Sequence, residues 1–249
     1  KSSTVDYSIS LCTTDHHSHM INNKYSSNVK KRQKDKEQQR TKMSENSNEI
    51  TQTYTFYARN GEKIPHNVRY VIVHDSVTEI PSEAFRELYQ LEKVKLPEGL
   101  KKICKRAFRD CERLRDINFP ASLETIDDAA FHKCTSLKEL KFPPSLKRIK
   151  GSAFAGCTSL IIINFPPSLE EIHAFAFYGC ISLIAVYFPK SLQRIGVRAF
   201  LRCTSLISAE LPPTVQVDDE AFIDCFTLEL RIQQVYTNSL TWEQKHQRS

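Results

Sequence analysis

Six of the eight cysteines, Cys111, Cys134, Cys157, Cys180, Cys203 and Cys225, recur every 23 residues and, at the last step, after 22. Such a ladder of thiols could form disulfides, hold a soft metal ion, or lie buried and reduced. None of the six belongs to a C-x-x-C pair, the usual zinc spacing. If the units stack, neighbouring Cα atoms fall within disulfide range, but their Cβ bonds run parallel instead of facing one another. The ladder therefore reads as free thiols filling small apolar spaces, with no metal and no cofactor. Unpaired cysteines favour a reducing, intracellular compartment.

Other candidates for chemistry are isolated. Cys104 lies between Lys101, Lys102, Lys105 and Arg106, a positive setting that would lower a thiol pKa; the plainer expectation is an incidental exposed cysteine. His16, His17 and His19 with Cys12 sit in a polar stretch without metal-site spacing. His132 and His173 fall in outward columns with no nucleophile or acid fixed by spacing. There is no G-x-S-x-G, no H-E-x-x-H and no glycine-rich phosphate loop, and six glycines in all leave little room for one. No catalytic residue is expected. The run Lys30–Lys36, KKRQKDK, resembles a nuclear-localisation or nucleic-acid arm, but Asp35 and Glu37 interrupt it and no aromatic accompanies it. It reads better as a solvated linker, and nucleic acid is not the expected partner.

The elements that would position these residues come from a repeat. Ala-Phe pairs end at Phe85, Phe108, Phe131, Phe154, Phe177, Phe200 and Phe222. Ile80 to Ile195, Leu91 to Leu206 and Pro97 to Pro212 keep the same step. A unit of 23 residues cannot bury its own apolar face, so the units must stack as coils. Within a unit, Leu137-Lys-Glu-Leu-Lys-Phe142 alternates at its second half, placing Leu140 and Phe142 inward and Glu139 and Lys141 outward. That predicts a short strand, ended by Pro143 for want of an N–H, with parallel neighbours about 4.8 Å away. The stretch from Ile149 to Cys157 should return along the opposite side as a helical turn or irregular loop.

The pattern L-x-x-I-x-F-P-x-S-L-x-x-I-x-x-x-A-F-x-x-C-x-S-L, from about Val68 to Leu228, resembles the BspA-like leucine-rich repeats. The resemblance implies an α/β-type solenoid, a right-handed superhelix of about seven 23-residue coils with a parallel sheet on its concave face. It also implies protein or surface recognition without catalysis. Family members are often microbial surface or adhesion proteins, and an export signal upstream of Lys1 would mark that alternative.

Four segments follow. Residues 1–50, with nine basic and six acidic side chains and few apolar ones, read as disordered and mildly basic. Residues 51–68 would cap the front, with Asn60-Gly61 as a turn; 69–233 form the solenoid; 234–249 are a polar tail. No apolar stretch approaches the length of a membrane span. The net charge of +6 is mild for a chain of 249 residues.

The outward strand positions carry what varies. From Glu92 to Lys141 they are charged, with Lys93, Lys95, Lys138 and Lys141 prominent. From Ile161 to Ile207 they turn apolar: Ile161, Ile162, Ile184, Ala185, Tyr187 and Ile207. A fold has no use for isoleucine on an outward face, so these ten residues are the expected binding surface for a protein ligand or a second copy. On the next outward columns Lys147 should stack beside Glu170, Arg148 beside Glu171, and Glu171 beside Arg194, opposite charges that would hold register.

Overall fold

The computed structural model describes residues 53–59, 62–226 and 228–232, with Asp116 and residues 229–232 as backbone only. The 1–50 segment with its Cys12, histidines and Lys30–Lys42 run, the Asn60-Gly61 turn, and the 234–249 tail lie outside the described residues.

Sixteen short strands follow in order. They are β1 (Thr53–Phe56), β2 (Tyr70–Val73), β3 (Glu79–Ile80), β4 (Lys93–Lys95), β5 (Lys102–Ile103), β6 (Asp116–Ile117), β7 (Thr125–Ile126) and β8 (Glu139–Lys141). Then come β9 (Arg148–Ile149), β10 (Ile162–Asn164), β11 (Glu171–Ile172), β12 (Ala185–Tyr187), β13 (Arg194–Ile195), β14 (Ser208–Leu211), β15 (Gln216–Val217) and β16 (Glu229–Ile232). All described pairings are parallel, and from β2 onward the partners are about one repeat apart, as in Ile163 with Val186 and Ile172 with Ile195. The chain is a parallel-strand solenoid.

The strands of the L-x-x-L-x-F-P pattern form two sheets, β1-β2-β4-β6 and β8-β10-β12-β14-β16, with no ladder joining β6 to β8. A third sheet was not foreseen. Its seven two-residue strands run unbroken from β3 to β15 along the isoleucine column. Two residues are too few to display alternation, so only stacking reveals them.

The return segment is not helical. Alternate N–H groups close turns within their own coil, as from Ala153 to the Lys150 carbonyl at 3.2 Å. The intervening ones reach the next coil, as from Phe154 to the Ala176 carbonyl at 2.8 Å and from Gly156 to Tyr178 at 2.7 Å. A helix would consume all these donors internally and leave successive coils unjoined. The alternation requires left-handed residues four apart. They form the columns Glu83, Arg106, Ala129, Ser152, Phe175, Arg198, Glu220 and Glu87, Asp110, Lys133, Gly156, Gly179, Arg202, Asp224. Only Gly156 and Gly179 adopt this conformation without steric cost.

The core is two aromatic ladders. Phe85 to Phe222 stack with ring centroids 4.9–5.4 Å apart. Phe119, Phe142, Phe165 and Phe188 stack at 5.4–5.8 Å. The second ladder meets the first edge-on at 5.6–5.7 Å, a favourable quadrupole arrangement. At the front, β1 pairs in parallel with β2, so no hairpin forms there.

Two fixed columns tie the coils together. Ser145 donates its hydroxyl to the Leu123 carbonyl at 2.6 Å, Ser168 to Leu146 at 2.7 Å and Ser191 to Leu169 at 2.8 Å. Each column cysteine aims its thiol at a phenylalanine carbonyl of the preceding coil. Cys111 reaches Phe85 at 3.0 Å, Cys134 reaches Phe108 at 3.1 Å and Cys157 reaches Phe131 at 3.2 Å. The cysteines are more than apolar filler.

The charged columns stack in the expected register but pair differently. The Glu170 N–H donates to the Lys147 carbonyl at 2.9 Å, yet the Lys147 ammonium lies 3.9 Å from Glu124. Glu171 is taken by His173 at 3.0 Å and Arg194 by Asp218 at 2.6 Å. These exposed pairs contribute little to stability, because solvent screens them. Register rests on the backbone ladders instead.

Phe154 is fully buried and stacked on both sides. Phe154→Ala removes those contacts and leaves a cavity, so chemical denaturation should show a loss of about 3–5 kcal/mol. A loss below about 1 kcal/mol would contradict the packing described.

Candidate functional site

The outward face of β8, β10, β12 and β14 gathers the apolar residues. In-register pairing places Ile162 between Glu139 and Ala185, and Tyr187 between Asn164 and Glu210. Just before these strands, the Ile184 N–H donates to the Ile161 carbonyl at 2.8 Å and the Ile207 N–H to Ile184 at 2.9 Å. The three isoleucines thus form a column at the strand spacing, about 4.8 Å. Ile161, Ile162, Ile184, Tyr187 and Ile207 are 41–51% exposed. Ala185 occupies an outward position but is only 8% exposed, because its methyl is too short to rise past its neighbours. It belongs to the floor of the surface and not to its contact layer.

The inward partners show why this exposure is not imposed by the fold. Ile163, Val186 and Ala209, between the outward positions, are 0–1% exposed and already fill the core. A charged or polar side chain fits at the same outward place one coil earlier, as at Lys138 and Glu139, both exposed.

Of the four lysines, the structure brings two to the patch. Lys138 and Lys141 stand on or beside β8, and Lys141 lies 3.7 Å from Glu139. With Glu139, Phe142, Ile161 and Ile162 they line a shallow cleft of about 610 Å³. Lys93 and Lys95 are exposed but belong to β4, in the other sheet, beyond the β6–β8 interruption. The cleft and the interruption have no counterpart in residue pattern.

The charged face at the front is largely self-compensated. The Glu92 carboxylate receives Arg69 at 2.6 Å and Arg115 at 2.8 Å. The hydrogen bond from Arg69, with that from Arg115, holds its carboxyl below the usual carboxylate range despite some burial. A row neutralised in this way is a solvated face.

The isolated candidates resolve differently. His173 is half-buried and pairs with Glu171, and His132 is half-buried instead of outward. Cys104 is half-buried, and its pKa is raised, against the expectation. Burial is the largest cause; Lys102 opposes it, while Glu79 and Asp127 from the adjoining coils add to it. The thiol lies 3.8 Å from the Glu79 carboxylate. Among the described residues no three His, Cys, Asp or Glu side chains converge as a metal site would require. No helix among them is long and apolar enough to cross a membrane.

With this geometry in view, the chain matches the BspA type leucine-rich repeat region over residues 65–160 and 124–240, in six copies, and it belongs to that family. A T. pallidum leucine-rich repeat protein of known structure is 29% identical, with a TM-score of 0.61 over 70% of this chain and 81% of that one. A leucine-rich repeat protein from Eubacterium ventriosum is 23% identical, with a TM-score of 0.55 over 78% of this chain and 45% of that one. No curated protein matches the sequence.

The raised Cys104 pKa fixes its reactivity. Its thiolate fraction at neutral pH is below that of an ordinary cysteine, so alkylation of the native protein should be slower there than at free cysteine. The rate should climb as pH rises. Cys111, Cys134, Cys157, Cys180 and Cys203, all buried, should be slower still. Peptide mapping after timed labelling reads this order, and Cys104 reacting faster than free cysteine would show that Lys102 dominates its surroundings.

Proposed function

We propose that this BspA-type leucine-rich repeat chain is a non-catalytic recognition module that holds a protein segment on the outward face of β8 to β14. The supporting observation is the contiguous group of Ile161, Ile162, Ile184, Tyr187 and Ile207, 41–51% exposed on adjoining coils whose inward positions are already satisfied. A patch of several hundred Å² is at the upper end of what a soluble monomer leaves uncovered. Tyr187, the most exposed of the five, is the residue type that most often anchors an interface. Ala185 would form the floor, and Lys138 and Lys141 the rim.

That rim selects the ligand's chemistry. Two lysines beside an apolar centre fit a segment with aliphatic or aromatic residues flanked by Asp or Glu, and steer it by charge. Lys93 and Lys95 extend the same preference beyond the sheet interruption. A nucleic-acid backbone fits poorly, since Glu139 and Glu210 are exposed within the same surface.

The test uses a displayed peptide library selected on the full chain. The expected binders carry apolar residues with acidic flanks. The double variant Ile162→Asp with Tyr187→Ala should lower their affinity more than tenfold, since an interface anchor is worth about 2 kcal/mol or more. Its melting temperature should stay within about 2 °C of the parent, because neither side chain enters the core. Binders that hold both proteins equally would refute the reading. So would a parent that is dimeric and a double variant that is monomeric by light scattering, which would make the occupant a second copy.

A further inference from the structure

The two ends of the aromatic core are finished differently. At the front, Phe56 comes from the stretch preceding the first coil, is 3% exposed, and closes edge-on against Phe85 at 4.8 Å. At the back, Phe222 stacks on Phe200 at 5.2 Å but is only partly buried, as are Val215, Cys225 and Leu228. Their counterparts one coil earlier, Phe200, Leu192, Cys203 and Leu206, are 0–1% exposed. Beside them Val217, Ile223 and Phe226 are 38%, 44% and 79% exposed. A solenoid end of this kind exposes core side chains that a terminal cap ordinarily covers.

We propose that residues 233–249 cover this end face, with Tyr236 and Trp242 set against Phe222, Ile223 and Phe226. The chain arrives there already: β16 pairs with β14 and ends at Ile232, on the coil that needs covering. Trp242 lies ten positions beyond Ile232, and an extended run of that length spans up to about 33 Å. That is enough to cross the coil from the strand side to the return side. The segment QQVYTNSLTWEQKHQRS places Val235, Tyr236, Leu240 and Trp242 among polar residues, the composition of a cap with a wet outer surface. The front end supplies the precedent, an aromatic from the adjoining chain closing the ladder.

Trp242 is the chain's single tryptophan, so its fluorescence reports this contact directly. In the intact chain its emission should be blue-shifted and resistant to acrylamide. Cys225, on the end coil, should label slowly in the parent and at least tenfold faster in Trp242→Ala, while labelling of Cys157 stays unchanged. Trp242→Phe should restore most of the protection. An exposed tryptophan with fast Cys225 labelling in the parent would overturn the proposal. Protection of Cys225 that depends on protein concentration would overturn it in favour of a second copy. A buried tryptophan whose emission reddens in Ile162→Asp, with Cys225 labelling unmoved, would place the segment on the sheet face and overturn it too.

Discussion

The structure depends on one constraint: in the described coils, which hold no helix, backbone N–H and C=O groups must find partners in the adjoining coil or in a turn of their own. That requirement sets the period. The strand sheets, the two-residue ladder at the isoleucine column and the turn ladder at the phenylalanine column each need equivalent residues in consecutive coils. Where the step shortens to 22 and then 21 residues at the last coil, the pairing persists, because the missing residues are taken from the stretches between columns. The serine hydroxyls and cysteine thiols extend the same logic to side chains. The Phe108 carbonyl, for example, accepts the Cys111 N–H at 3.2 Å and the Cys134 thiol at 3.1 Å, using both of its lone pairs.

Packing follows from that period. Once the backbone holds coils in register, any residue type repeated at an inward column must stack on itself. Phenylalanine suits this because its flat rings lie nearly parallel, within 3–16° along the first ladder. The edge-on contacts of Phe119, Phe142, Phe165 and Phe188 then brace one ladder against the other. Stability is therefore shared between nearest neighbours, coil by coil. The front coil has β1 and Phe56 on its outer side, whereas among the described residues the last coil has a neighbour on one side only, and there Val215, Cys225 and Leu228 are less covered than their counterparts.

Much of this was legible in residue columns, and what was not has a common cause. The strands around Leu140 and Ile163, the buried phenylalanines and the free thiols follow from types recurring at one step. The left-handed columns did not show, because Lys133 and Phe175 give no turn signal of the glycine kind. The β3 to β15 sheet did not show, because a two-residue strand carries no alternation. Cys104 was misjudged because its basic neighbours along the chain, Lys101, Lys105 and Arg106, are visible in sequence, whereas the burial that chiefly raises its pKa, and the smaller contributions of Glu79 and Asp127 a coil away on either side, are not. The apolar patch was legible in its residue types. The shortness of Ala185 and the sheet break separating Lys95 from Lys138 were not, since both depend on what stands alongside.

The same constraint decides where recognition can be written. Inward positions are committed to the ladders, the prolines to strand ends, the serines and cysteines to inter-coil hydrogen bonds, and the return segment to left-handed turns. What remains free includes the outward strand positions, together with exposed non-strand sites such as Ile181 and Val197. The step from Lys138-Glu139 to Ile161-Ile162 leaves every ladder intact, because the outward side chains support no backbone bond and enter no core. A surface of this kind can change from charged to apolar within one coil at almost no cost to folding. On the function proposed above, ligand preference is thereby separated from stability, because the residues a ligand would meet are ones that can differ between successive coils.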